Sequence, residues 1–341
     1  MKKKVFIDGQ AGTTGLKIRE MLKNHKEVKI VEIEEKFRKD IDKKRELFND
    51  VDLVVLCLPD EAAKEAVKEI PQKTKVIDTS SAHRTAKGWT YGFPELKGTI
   101  VGATLNNAKD LEIINDNSFS ATQREKIRTA TRVSNPGCHS TGAIAALRPL
   151  VSEGVVGSDY PILITSLTGY SGGGRQMIEG YKERDKNDNS WAVRPYALAL
   201  KHKHLPEITA LAGLEYQPLF YPVLGDVEQG MLVSMGFENR LLKRKLDAQG
   251  IHDILKKYYQ GEKFVRVLPF NDNSILADGL LPNAYLTATN CNGTNNLDIM
   301  VFGNETQTLV ISRLDNLGKG ASGAAVQNLN IMLGFDEGTG L

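Results

Sequence analysis

A two-domain α/β protein, a parallel sheet followed by a mixed α+β unit, is the fold class this sequence predicts. Three observations carry that reading. Up to about residue 81, short apolar runs alternate with amphipathic helical stretches. A glycine cluster follows the first apolar run and opens a helix. Beyond about Val151 the texture changes to apolar runs separated by Gly and Asn turns, with few helical periods.

The elements follow in order. Lys3 to Asp8 reads as a strand, and Leu16, Ile18, Met21 and Leu22 recur at helical spacing after it. Val28 to Glu34 is a second strand, Phe37 to Asp50 a polar amphipathic helix, and Val51 to Pro59 a fully buried third strand. Asp60 to Ile70 opens with an acidic first turn, as a helix should, and Thr74 to Ser81 is a fourth strand. Past Trp89 the pattern weakens to a short strand at 99–101 and a charged helix at 123–130. A small-residue helix starts at Cys138, directly after the turn Asn135-Pro136-Gly137. In the second half, apolar runs at 160–174, 231–238, 263–269, 283–291 and 297–303 read as strands, and 241–260 as the clearest helix. Asp315 to Gly334 reads as a helix with a small-residue face, of the kind that packs back on an earlier domain.

Composition bounds the function. The chain has 341 residues and a formal net charge of +2, so no global field points to nucleic acid or a membrane. An anionic substrate must be met by local charges. Three widely spaced cysteines argue against a disulfide framework and fit a reducing cytoplasm. No cysteine pair has metal-ligand spacing, and no metal is expected. The basic start lacks an apolar stretch behind it, so no targeting segment is read there.

Gly9, Gly12 and Gly15 form G-x-x-G-x-x-G between the first strand and first helix. Glycines let backbone approach a pyrophosphate, and the helix start supplies free N–H groups, as in a Rossmann-type dinucleotide site. Glu32 or Glu34 suits a ribose diol, whereas Lys36, Arg38 and Lys39 suit a 2′-phosphate, so NAD and NADP are evenly matched on the residues alone. Cys138 sits where the helix dipole favours a thiolate, and it is the candidate nucleophile; Cys57 and Cys291 read as small hydrophobes in strands. A thiol nucleophile wants a base. His202 and His204 lie two apart in Lys201-His-Lys-His, so an extended backbone turns both toward one cleft; paired histidines also occur in surface loops or metal sites. His204, nearer Pro206 and Glu207, is favoured as acid/base. His25 and His252 read as surface helix positions. Ser171, Gly172 and Arg175 lie in a glycine-rich loop able to cradle an anion, and Arg84 ends a parallel strand where α/β sheets bind ligands.

Assembled, these stretches resemble the shorter-form N-acetyl-γ-glutamyl-phosphate reductases, within the wider semialdehyde dehydrogenase superfamily. The matches are VFIDGQAGTTG, DTSSAHR, YGFPEL, SNPGC, GYSGGGRQM, HKHLPEI and DNLGKGASGAAVQNLNIMLG, in order along nearly the whole chain. The resemblance implies an NADP-linked, phosphate-dependent reductase of arginine biosynthesis. Cys138 is then the acyl-accepting thiol, and the histidines supply acid/base chemistry. Arg84 is similar to a phosphate-binding arginine, and Gly318, Lys319, Gly320 and Gln327 fall in a cofactor-side tail that returns to the first domain. Substrate contacts are expected from Arg84, Ser171, Gly172, Arg175 and Glu207. NADP(H) contacts are expected from Gly9, Gly12, Thr13, Thr14, Gly15, Arg38, Ser80, Asn135, Gly318, Lys319 and Gln327. The implied partners are a small molecule bearing carboxylate and acyl phosphate, inorganic phosphate, and further copies of the chain as a dimer or tetramer. Domains are expected at 1–137 (NADP-binding), 138–314 (catalytic and dimerising) and 315–341 (the returning helix). An unusual insertion near 97–119 carries no recognised motif and suits an extra loop or hairpin on the cofactor side. Rival readings are an aspartyl- or aminoadipyl-phosphate reductase and, in another class, a non-catalytic NAD(P) sensor.

Overall fold

The computed structural model describes residues 2–97, 122–272, 274 and 285–341. The expected strand at 99–101 and nearly all of the insertion near 97–119 lie outside the described residues.

The first half builds one parallel sheet. Its elements are β1 (Lys3–Asp8), α1 (Thr13–Leu22), β2 (Val28–Val31), α2 (Ile41–Asp50), β3 (Leu53–Leu56), α3 (Asp60–Glu69) and β4 (Lys75–Asp78). β5 (Thr90–Tyr91), α4 (Gln123–Thr129) and β6 (Arg132–Ser134) complete it. The strand order is β2-β1-β3-β4-β6-β5, with every pairing parallel. β3 reads LVVL and is buried on both faces, as a central parallel strand must be. α2 is stopped at its N-terminus by Asp40, whose carboxylate accepts from the Asp42 and Lys43 amides. The chain reverses its winding direction at β1. The crevice for a ligand therefore opens at the C-terminal ends of β1 and β3, where the glycine turn sits.

The second half contains α5 (Cys138–Ser152), β7 (Leu163–Thr168), α6 (Gly174–Glu183), β8 (Val193–Pro195), α7 (Leu205–Ala212) and β9 (Leu219–Gly225). β10 (Met231–Glu238), α8 (Ala248–Tyr258), β11 (Val265–Val267), β12 (Leu297–Gly303) and β13 (Gln307–Leu314) follow. Its mixed sheet has the order β11-β12-β13-β10-β7-β9-β8. One face is covered by α5, α7 and α8: Ile144, Leu147, Ile208, Ile251 and Leu255 share a core with Val233, Met235 and Val310. The opposite face leaves Leu163, Leu219, Tyr221 and Leu309 exposed, with Leu163 and Leu219 paired across β7 and β9.

The chain then winds through a π-helical turn, Gly318–Ser322, into α9 (Gly323–Leu333), which Gly334 ends in the left-handed conformation. α9 packs in the first domain: Val326, Leu329 and Met332 share a core with Val5, Ile7, Ile18 and Val133.

Several local expectations need correction. Within 283–291 the described residues form irregular chain and turns rather than a strand, so Cys291 lies in a turn, buried, with its thiol donating to Asp298 at 3.3 Å. Cys57 lies just past β3 rather than in it. His25 and His252 are buried, not surface residues; their ring nitrogens meet Asn330 Oδ1 at 3.1 Å and the Leu268 carbonyl at 2.9 Å.

Candidate active site

The cleft between the two sheets holds about 480 Å³ and is bordered by Thr13, Thr14, Asn135, Cys138, His202 and His204, with the Ser171–Gly174 loop opposite. Each part is set by local sequence.

Gly9 has φ +86°, and a Cβ there would run into the Cys57 carbonyl. A Cβ on Gly15 would stand 2.5 Å from the Gly9 carbonyl oxygen. Both glycines are required by the turn itself. Gly12 is not: its backbone is extended, and a Cβ meets only an ordinary contact at 3.4 Å. Gly12 is the N-cap of α1, with no capping side chain and no acid in the first turn. The first N–H groups and positive end of α1 are thus left to an external anion, and this cradle fits a dinucleotide pyrophosphate.

Cys138 begins α5 directly after Gly137, again with no side-chain cap and no acid in the first turn. The helix start alone does not make the thiol acidic, contrary to the sequence expectation. Burial pushes it above its ordinary range; the Arg84 charge, the His139 backbone N–H and the Lys203 charge pull it back without prevailing. At rest the Cys138 side chain is a neutral thiol. Burial also pushes the Cys57 thiol to about 12 and the Cys291 thiol to about 11.

Three imidazoles surround Cys138. The rings of His202 and His204 lie 4.8 Å apart, and His139 stands 5.5 and 5.3 Å from them. Burial keeps all three uncharged, lowering His139 to about 3 and His202 to about 4, and His204 well below its ordinary value. His139 is held on both sides, by Ser166 Oγ at 2.7 Å and the Tyr196 hydroxyl at 2.8 Å. His204 Nδ1 is buried without a hydrogen-bond partner among the described residues. The His202–His204 segment is a turn, not an extended strand. His204 is the N-cap of α7 in helical conformation, and its amide donates to His202 Nδ1 at 3.2 Å. The turn gathers both rings by a route that two-residue alternation does not describe.

Glu207 lies beneath the Asn135-Pro136-Gly137 turn rather than on the cleft wall. Its carboxylate accepts from Arg84 Nη1 at 2.7 Å, the Tyr91 hydroxyl at 3.0 Å and the Gly137 amide at 3.3 Å. Arg84 reaches the cleft, yet its other nitrogens donate to the Asn135 and Thr79 carbonyls. Ser171 Oγ accepts from Asn316 Nδ2 at 2.9 Å, and Gly172 lies beside it on the wall. Asn135 bridges to the π-helical turn by donating to the Ala321 carbonyl at 2.9 Å.

Other expected contacts fall elsewhere. Arg175 is exposed and paired with Glu179 at 2.6 Å, because it lies in the first turn of α6 with its side chain outward. Arg38 is partly exposed and paired with Glu35 at 3.3 Å. Ser80 is turned inward onto Asp78, and Thr79 takes its place on the wall. Lys319 and Gln327 are fully buried: Lys319 Nζ donates to Glu95 at 2.7 Å and to Gln327 at 2.6 Å. Gly318 packs on the Thr294 carbonyl; Gly320 and Ala321 are the residues of that turn on the cleft, and a Cβ on Gly320 would stand 2.8 Å from Cys138 Cβ.

The sequence reading also missed wall residues. Arg194, stacked 4.5 Å over Trp191, and Lys203 line the cleft without an acidic partner among the described residues. Lys203 was visible between the two histidines, and His139 beside Cys138. Nothing in the sequence marks Arg194.

A nucleotide cradle facing a helix-start cysteine across a two-domain cleft is the arrangement of the semialdehyde dehydrogenases, and the comparisons agree. Residues 4–103 match the semialdehyde dehydrogenase NAD binding domain, and residues 138–316 the semialdehyde dehydrogenase dimerisation domain. The aspartate semialdehyde dehydrogenase II of Vibrio cholerae, complexed with ASA, superposes with a TM-score of 0.65 over 98% of each chain at 15% identity. The Francisella tularensis aspartate semialdehyde dehydrogenase gives 0.65 over 98% of this chain and 100% of its own. At that identity the likeness speaks for the fold. Sequence relatives are more particular. N-acetyl-gamma-glutamyl-phosphate reductase 2 of Nostoc sp. is 46% identical over 100% of this chain and 99% of its own. N-acetyl-gamma-glutamyl-phosphate reductase 2 of Pseudomonas putida is 42% identical over 97% and 96%. The chain belongs to the N-acetyl-γ-glutamyl-phosphate reductase family.

Proposed function

We propose that this chain reduces N-acetyl-γ-glutamyl phosphate to N-acetylglutamate 5-semialdehyde with NADPH, releasing inorganic phosphate, through a thioester on Cys138. The observation that carries this reading is the shared cleft: an uncapped helix start with a glycine turn on one wall, and a helix-start thiol among three uncharged imidazoles on the other.

The Cys138 sulfur attacks the acyl carbon as its proton passes to a neutral imidazole. His204 suits that role, since it is uncharged at neutral pH and one of its ring nitrogens lies within 4.8 Å of the Cys138 sulfur. The carbon–oxygen bond to phosphate breaks, leaving the thioester. A nicotinamide held with Asn135 and Gly320 beside it would supply the hydride that reduces this thioester. His204 passes the thiol proton to the departing phosphate and, neutral again, takes the hydroxyl proton as the thiohemiacetal collapses to aldehyde and Cys138 thiolate; the positive end of α5, Arg84 and Lys203 stabilise that thiolate until the proton is returned to it. Arg194 and Lys203, rather than Arg175, are the cleft cations available to the substrate carboxylate and phosphate.

Gly9, Gly12, Gly15, Thr13 and Thr14 hold the pyrophosphate in this reading, with Asn135 and Gly320 at the nicotinamide end. The preference for NADP over NAD belongs to the same proposal, as do the division at 1–137, 138–314 and 315–341 and a cytoplasmic location. Among the described residues no helix is long and apolar enough to cross a membrane. The family's dimerisation domain spans residues 138–316, and the apolar face bearing Leu163, Leu219 and Tyr221 is the surface we assign to self-association.

The test is the reverse reaction. NADP reduction with N-acetylglutamate semialdehyde plus phosphate should exceed that with aspartate semialdehyde at least a hundredfold. NADP should outperform NAD. Equal rates with both aldehydes would overturn the substrate assignment, and absence of turnover with intact NADPH binding would favour a sensor.

A further inference from the structure

We propose that Cys138, His139 and His204 form an inhibitory site for Zn²⁺, which competes with acylation by occupying the nucleophile. One donor atom from each of the three residues lies within 4.8 Å of the others. A thiolate with two neutral imidazoles is the soft, borderline set that zinc prefers, with Zn–S near 2.3 Å and Zn–N near 2.0–2.1 Å. Those bond lengths require the donors to draw in by only about an ångström and leave a fourth position for water.

The surroundings favour this. His139 is oriented by Ser166 through Nδ1 at 2.7 Å, the kind of outer partner that fixes the tautomer of a metal-binding imidazole. Among the described residues its Nε2 is engaged by the Tyr196 hydroxyl alone, at 2.8 Å. Tyr196 follows β8 at the sheet edge and is half-buried, and the next residue, Ala197, has φ +54°. Zinc would replace this one hydrogen bond on a surface strap. His204 offers one ring nitrogen to this group, and its Nδ1 is buried with no hydrogen-bond partner among the described residues. Two cations lie near. Arg84 is neutralised by Glu207 at 2.7 Å, and Lys203 is exposed at the cleft rim, where its ammonium can turn to solvent. Coordination exchanges the S–H bond for an S–Zn bond, so each ion bound releases one proton to the buffer.

The experiment titrates the whole, metal-free protein with ZnCl₂ and, separately, with CoCl₂ in buffer without thiols or chelators. The expected result is one ion per chain, at least tenfold inhibition at a slight excess of Zn²⁺, full reversal by EDTA, and a thiolate-to-cobalt charge-transfer band. Wild-type protein alkylated at Cys138 with iodoacetamide should lose that band without any mutation. His139→Gln should weaken Co²⁺ binding at least tenfold by the same band. A band that survives Cys138 alkylation, or Zn²⁺ inhibition with no band and no 1:1 binding, would overturn the site. The cobalt spectrum does not depend on turnover, so failure here is distinguishable from failure of the proposed reaction.

Discussion

The three glycines of the first turn are predicted to separate into two kinds. Gly9→Ala forces a side chain into left-handed backbone at φ +86° and against the Cys57 carbonyl. The backbone term is about 1–2 kcal/mol, and displacing the packed carbonyl adds about 1–3 kcal/mol. The sum, roughly 2–5 kcal/mol, corresponds to a fall in melting temperature of about 4–20 °C for a unit of about 150–250 residues. Gly15→Ala, with its Cβ 2.5 Å from the Gly9 carbonyl oxygen, carries the packing part without the backbone part. Gly12→Val should melt within a degree or two of wild type, because its extended backbone accepts a β-branched residue and the nearest atom to its Cβ is 3.4 Å away. Its harm falls on the ligand. Losing two N–H contacts to a charged phosphate, each about 1.5–3 kcal/mol, should weaken NADPH at least a hundredfold. The assay pairs thermal melts without cofactor with fluorescence titration of NADPH. A folded Gly12→Val protein with unchanged NADPH affinity would show that the pyrophosphate does not sit on α1.

Other tests follow from the site. Cys138→Ala should abolish turnover while leaving NADPH binding intact; alkylation of the free enzyme by iodoacetamide should rise only above the ordinary thiol range, since burial outweighs Arg84 and Lys203, and a plateau already reached at pH 7 would refute the neutral resting thiol. His139 is held near 3 against 6.5 in the unfolded chain, so its contribution to stability is fully present above pH 6.5 and is lost as pH falls toward 3, by up to about 1.4 kcal/mol per pH unit; urea unfolding at pH 7 and pH 5 measures it, and equal stabilities would contradict the buried neutral ring. Arg194→Met should raise KM for the acyl phosphate at least tenfold with kcat less affected, whereas Arg175→Met should change neither, and the reverse pattern would restore Arg175 to the site. Lys319→Met should destabilise by about 3–5 kcal/mol by stranding the buried Glu95 carboxylate, and denaturant unfolding with less than 1 kcal/mol of loss would discount that pair.

What could be read from the sequence was local and periodic. The strands β1, β3 and β4 and the start of α5 were legible because apolar runs and the Pro-Gly turn are signals carried by neighbouring residues. β6 has three residues and β5 two, too short for any period, and Pro222 in β9 argues against a strand although it pairs in parallel with β7. Cys138 stood out because its helix start is marked by adjacent residues. Its acidity did not, because burial is set by residues from both domains and overrides the helix dipole. Lys319 read as a free cation in a motif, and only the fold supplies Glu95 from the far end of the chain to bury it. The same limit applies to Arg175 and Arg194: chain position alone does not say which guanidinium faces the cleft.

The docking of α9 has a consequence for biosynthesis on the ribosome. Val326, Leu329 and Met332 complete the core of a sheet whose strands end at Ser134. About 190 further residues must be translated before that helix can emerge, which at 5–20 residues per second is on the order of ten to forty seconds. During that interval the nascent first domain exposes the surface around Val5, Ile18 and Val133 that α9 later covers. The nucleotide cradle therefore matures only once α9 has been made, and the early chain is the stage at which chaperone capture or aggregation would be decided.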